Sequence, residues 1–207
     1  MYRFVYYLLY PFFRLFCHFK VEGRENIPKK GFMLIANHTA YKDPLLLAFA
    51  IKRKNIRFIA KSDLQRFWFF KVVFKALNVI AIKRNSSDLA ALRESVSALE
   101  QGDIVCIFPQ GTRIKNEPPK KEQALAGVGL IIAKSQCDVL PVSIKFPEDK
   151  GGNRKITITI GKPITYDEYM QPDENGEPPR RVETAQRVFD EVCKIHQEQS
   201  KLYEKQK

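Results

Sequence analysis

His38 and Asp43 stand five positions apart in the stretch NHTAYKDP, directly after the apolar run FMLIA. Histidine is the side chain best suited to take a proton near neutral pH, and a carboxylate bonded to its ring fixes which nitrogen is free to do so. At about 100° per residue, five positions do not put two side chains on one helix face. His38 would therefore have to reach Asp43 across a short loop. Asp43-Pro44 also has a structural reading. The residue before proline is pushed away from helical angles, proline suits the first helical position, and aspartate is among the best N-caps. A carboxylate has two oxygens, so capping a helix and holding an imidazole N–H are compatible roles.

Further along, FPQGTR (108–113) closes the apolar run DIVCIF. Gly111 suits a sharp turn after a strand, and Arg113 can grip an oxyanion with two parallel N–H groups. Lys61 follows IRFIA, and Lys83 and Arg84 follow VIAI. A G-x-S-x-G elbow is absent, and Cys106 lies in an apolar run with no histidine near it in sequence. Neither covalent route is favoured, and no His/Cys/carboxylate cluster suggests a metal. What remains is a base beside a group of cations.

An alternation of apolar runs and helical stretches could bring these residues together. Strands are predicted over 32–37, 56–60, 79–83, 103–109 and 139–145, with a later, more exposed one over 155–161. Helices are predicted over 44–52 and 64–77, and over SSDLAALRESVSALEQG, capped by Ser86 or Ser87 and ended by Gly102. Two more are predicted over QALAGVGLIIAKS and over a closing stretch marked by Val182, Ala185, Phe189, Val192 and Ile195. The class is α/β, a largely parallel sheet flanked by helices. In such sheets ligands bind outside the carboxyl ends of the strands, where His38, Lys61, Lys83, Arg84, Gln110 and Arg113 all fall.

The chain has 207 residues, enough for one domain with a real core, and a formal net charge of +12, which favours acidic partners. Cys17, Cys106, Cys137 and Cys193 form no C-x-x-C pair, so a reducing, cytosolic setting is expected. Residues 1–20 hold nine aromatics, interrupted by Arg3, Pro11, Arg14 and His18. Charges inside a spanning helix are costly, and no cleavage site marks a secretory signal. A helix lying in the headgroups of an anionic membrane is the expectation over 1–22, with a short span or a packing helix as alternatives. RFWFFKVVFKALNVIAIKR mixes aromatics and cations as single-strand nucleic-acid binders do, but its unbroken F-W-F-F cluster suits lipid better, so no nucleic-acid partner is expected.

His-x4-Asp, then the Lys/Arg region, then FPQGTR and the LPV strand, in this order over roughly Gly23 to Ile144, resemble the glycerolipid acyltransferases. The likeness is strongest to the bacterial 1-acyl-glycerol-3-phosphate acyltransferases. It implies that residues 23–207 form an acyltransferase domain. His38 would be the general base, Asp43 its orienting partner, and Lys61, Arg84, Gln110, Gly111, Thr112 and Arg113 the acceptor-binding set. Pro141 would lie near the acyl-donor side. The implied donor is acyl-coenzyme A or an acyl carrier protein, the acceptor lysophosphatidic acid, and no metal or other cofactor is needed. The implied location is the cytoplasmic face of the cell membrane, with peripheral or monotopic attachment. A sister enzyme using glycerol 3-phosphate or another lysolipid is the alternative. Gln110 stands where that family carries glutamate; an amide can hydrogen-bond an acceptor hydroxyl but cannot take its proton.

Overall fold

The computed structural model describes residues 18–63, 78–83, 88–115, 117–147 and 156–204. Residues 1–17 of the anchor expected over 1–22, the helix expected over 64–77, the two candidate serine caps and Arg84 lie outside them. Among the described residues, no helix is long and apolar enough to cross a membrane.

Seven described strands form one sheet: β1 (Phe19–Glu22), β2 (Met33–Ala36), β3 (Ile56–Lys61), β4 (Ile80–Ile82), β5 (Ile104–Ile107), β6 (Val139–Lys145) and β7 (Ile156–Ile160). Their order is β1-β7-β6-β2-β5-β3-β4. The five strands from β6 to β4 run parallel, and β7 pairs antiparallel with β6 and parallel with β1. The α/β class with a largely parallel sheet flanked by helices is therefore the observed one.

Helix α1 (Asp43–Ile51) covers one face, packing Leu46, Leu47 and Phe49 against Leu34, Ala36 and Val142. Helices α2 (Leu89–Glu100), α3 (Ala126–Ser135) and α5 (Arg181–Glu204) cover the other, over Met33, Ile35, Val105 and Val139. A single turn, α4 (Tyr166–Tyr169), precedes α5. Buried on both faces, β2 reads as an unbroken apolar run, and its Met33, Leu34 and Ile35 side chains contribute about 1.5–3 kcal/mol each. Helices α3 and α5 meet at Gly129, where a Cβ would lie 1.9 Å from the Arg181 carbonyl oxygen.

Four expectations need correction. The segment expected to be helical over 1–22 ends in a strand, because Phe19–Glu22 pairs with Ile156–Thr159 along β7. That pairing also removes β7 from the edge: Ile156, Ile158 and Ile160 are buried, not exposed. The cap of α2 is Asp88, whose carboxylate accepts from the Ala91 and Lys83 amides at 3.0 and 2.9 Å. The Lys83 and Ala91 amides hold that carboxyl below the ordinary aspartate pKa. Finally, α3 starts only at Ala126, since Leu125 is extended and its N–H is tied to the Pro109 carbonyl at 3.0 Å.

Candidate active site

The site begins where β2 ends. Asn37, buried at the strand's exit, donates Nδ2–H to the Ile144 carbonyl at 2.8 Å and accepts the Ile144 N–H at 2.7 Å. Its amide thus continues the ladder to β6 after the backbone of β2 has turned away. That turn releases His38 at the carboxyl edge.

Both backbone groups of His38 are held by the 108–125 loop. Its N–H donates to Gln110 Oε1 at 2.8 Å, and its carbonyl accepts from the Ile114 N–H at 2.8 Å. The ring stacks on Phe108, with centroids 4.1 Å apart and planes at 19°. His38 Nδ1 is 2.8 Å from Asp43 Oδ2, and its side chain is 18% exposed. An ionised carboxylate only accepts, so Nδ1 carries the hydrogen and Nε2 keeps the lone pair. A base with this geometry can take a proton from a hydroxyl arriving at the edge.

Asp43 is fully buried, and its Oδ2 also accepts from the Thr39 and Ala40 amides at 2.7 and 2.8 Å. The expected cap is therefore not made: Lys42 occupies the N-cap position, no side chain caps α1, and Asp43 is already in the helix with Pro44. The carboxylate faces backward, into the loop that carries the histidine, and this choice excludes the forward amides. Its Oδ1 and the Thr39 hydroxyl are buried without a hydrogen-bond partner among the described residues.

Gly111 has φ +64 and donates its N–H to the Phe108 carbonyl at 2.9 Å, so the turn needs a residue without a Cβ. Thr112 is exposed in the same turn. The turn swings Arg113 beneath Tyr41, whose ring centroid lies 3.3 Å from the guanidinium carbon. Arg113 Nη1 is buried with no hydrogen-bond partner among the described residues. A desolvated guanidinium N–H without an acceptor is costly, and an anionic group is the partner that would relieve it. Tyr41 itself is 75% exposed.

The remaining expected residues are not all gathered here. Lys61 ends β3 at the same sheet edge but is ion-paired with Asp63. Gln110, 7% exposed, points at protein partners. Pro141 is buried inside β6 opposite Ile35, below the edge, where its carbonyl accepts the Gly161 N–H. Burial alone raises the Cys106 thiol well above its ordinary pKa, so no thiolate is on offer. The sequence reading missed Asn37, Phe108, Tyr41 and Gln123. Only Asn37 carried a signal, as a polar residue ending an apolar strand.

The family described as "Acyltransferase" matches residues 18–145, more than half of the chain, and the chain belongs to that family. The individual likenesses are narrower. A Mycoplasma pneumoniae protein named "Probable 1-acyl-sn-glycerol-3-phosphate acyltransferase" is 37% identical over 100 residues, 45% of this chain and 37% of its own length. The 1-acyl-sn-glycerol-3-phosphate acyltransferase of Bacillus subtilis is 26% identical over 151 residues, 70% of this chain and 73% of its own. The chain thus spans little more than a third of one of these relatives and most of the other. The solved structure of the 1-acyl-sn-glycerophosphate (LPA) acyltransferase PlsC from Thermotoga maritima superposes with a TM-score of 0.60 at 28% identity. It covers 87% of this chain and 73% of that one.

Proposed function

We propose that the protein transfers a fatty acyl group from acyl-coenzyme A or an acyl carrier protein to the free hydroxyl of 1-acyl-glycerol-3-phosphate, giving phosphatidic acid. The observation that carries this reading is the His38–Asp43 contact at 2.8 Å, beside an arginine whose buried Nη1 has no acceptor among the described residues. His38 Nε2 takes the hydroxyl proton as the oxygen attacks the thioester carbonyl. Asp43 holds the ring and balances the imidazolium that forms. The tetrahedral intermediate expels the thiolate, which takes up the proton, so the acyl–sulfur bond breaks as the acyl–oxygen bond forms. No acyl-enzyme and no cofactor enter this scheme. General-base catalysis of this kind contributes about 10²–10⁴-fold.

Arg113 grips the acceptor phosphate, and Lys61 ends its strand at the same sheet edge. Arg84, outside the described residues, is a further phosphate contact that the family resemblance implies. The aromatic and basic residues of the N-terminal stretch support attachment to an anionic bilayer on the cytoplasmic side. The names of the relatives support the acceptor. The test is turnover of purified protein with both donors across 1-acyl-glycerol-3-phosphate, glycerol 3-phosphate and an unphosphorylated monoacylglycerol. Preference for the first is expected. Equal rates with the unphosphorylated acceptor would overturn the acceptor assignment.

A further inference from the structure

Gln110 makes two hydrogen bonds, and their polarity is forced. A backbone N–H can only donate, so the atom 2.8 Å from the His38 nitrogen is Oε1. Nε2 must then point the other way, and it donates to Gln123 Oε1 at 2.7 Å. The same Gln123 oxygen accepts the Lys120 N–H at 3.1 Å, which fixes the orientation of the second amide as well. Gln123 closes a one-turn 3-10 segment, Lys121–Gln123. That segment runs into Ala124, which is buried with residues of α2, α3 and α5. The Leu125 N–H bonded to the Pro109 carbonyl closes the loop behind it.

We infer that Gln110 and Gln123 are positioning residues that fix the backbone of His38, rather than contacts for the acceptor. The bonds run His38 N–H to Gln110 Oε1, and Gln110 Nε2–H to Gln123 Oε1. The Ile114 N–H bonded to the His38 carbonyl adds the second point of attachment. The base is thereby hung from the loop that also carries Arg113, and the spacing between base and cation is set by one rigid piece. An oxygen at position 110 is what the histidine amide requires. A donor at position 110 is what Gln123 requires; the amide supplies both, whereas an ionised carboxylate would supply only the acceptor. This inference takes His38 as the base, as proposed above, but its geometry does not depend on which acceptor is used.

The experiment is a mutant cycle on the purified full chain with two readouts. Amide hydrogen exchange at His38, followed by NMR, reads the tether without any turnover. Steady-state kinetics reads its effect on the reaction. Gln110→Ala and Gln123→Leu should each speed exchange at His38 and lower kcat about tenfold, with the acceptor KM unchanged. The double variant should be no slower than Gln110→Ala alone, because the second bond acts only through the first. Gln123→Glu keeps the acceptor oxygen, so it should recover most of the turnover lost in Gln123→Leu. Should Gln110→Ala fail to fold, the Gln123 pair alone carries the test. Unchanged His38 exchange in the variants, additive losses in kcat, or a rise confined to acceptor KM would overturn the inference. Were acyl transfer itself absent, exchange at His38 would still decide the tether, so the two failures are separable.

Discussion

Two histidines lie on opposite faces of the same sheet end, and their settings are opposed. His38 meets a carboxylate, keeps one ring nitrogen unengaged by a described bond, and is partly open at the edge. His196, on α5, meets a hydroxyl: its Nδ1 is 3.1 Å from Ser143 Oγ. That hydroxyl already donates to Gln199 Oε1 at 2.6 Å, so it must accept from His196. Gln199 Nε2 passes the chain on to Thr159 at 2.7 Å, and Thr159 to Glu22 at 3.2 Å. Burial, with Lys145 nearby, pushes the His196 pKa down to about 4. What would separate a base from a strut is the ring's partner: the carboxylate beside His38 orients one ring nitrogen and leaves the other to act, whereas the apolar wall and the cation beside His196 disfavour its protonated form.

The sharpest way to break this comparison is to remove each ring in turn. His38→Ala should lower turnover by at least about a hundredfold and leave the melting temperature near that of the parent. Near-parental turnover in that variant would remove His38 from the chemistry. Asp43→Ala should cost both, because three donors lose one acceptor. A drop of about 2–3 kcal/mol in urea unfolding is expected, with activity falling alongside. An aspartate that served only as a helix cap would cost about 1 kcal/mol and spare turnover.

His196 should do the reverse. Its folded pKa lies below the ordinary value of about 6.5, so the unfolded chain takes up the proton first as the pH falls. The stabilisation from its neutral form is complete above pH 6.5 and is lost between there and pH 4, on the order of 2 kcal/mol after allowing for partial exposure. His196→Asn should flatten this stretch of the stability–pH curve while leaving turnover at pH 7.5 intact. An unchanged curve would place the acid sensitivity elsewhere. The smallest effect belongs to Tyr41. Tyr41→Leu takes away the ring over Arg113 and should raise KM about threefold for a phosphorylated acceptor only, as loss of an exposed cation–π contact predicts. Equal effects on phosphorylated and unphosphorylated acceptors would detach Tyr41 from the anion site.

The elements that carry the site were legible in the sequence because their signals are local. β2, β5 and β6 are apolar runs, and α1 carries a proline in its first turn. The His38–Asp43 pair was legible from residue type and spacing. The direction of the Asp43 carboxylate was not, since cap preference is a local tendency and two loop amides outcompeted it. β1 was hidden for a related reason. Phe19–Glu22 closes an aromatic, basic stretch, and only its pairing with β7, more than 130 positions away, makes it a strand. Gln110 and Gln123 are thirteen positions apart with no periodicity between them. Their bond follows from the path of the loop, which no composition signals.

The reversed direction of β1 and β7 has a geometric consequence for how the enzyme would meet its substrates. Lys145 at the end of β6 pairs with Thr157 near the start of β7, and Phe19 pairs with Ile156. The chain therefore comes into the sheet at the rim where β2 delivers His38, not at the opposite rim. Whatever holds the preceding residues holds that rim. If they rest on a bilayer, the catalytic mouth is moored at the lipid surface by the covalent chain itself. An insoluble acceptor and its product could then be exchanged by sideways diffusion, without leaving the leaflet.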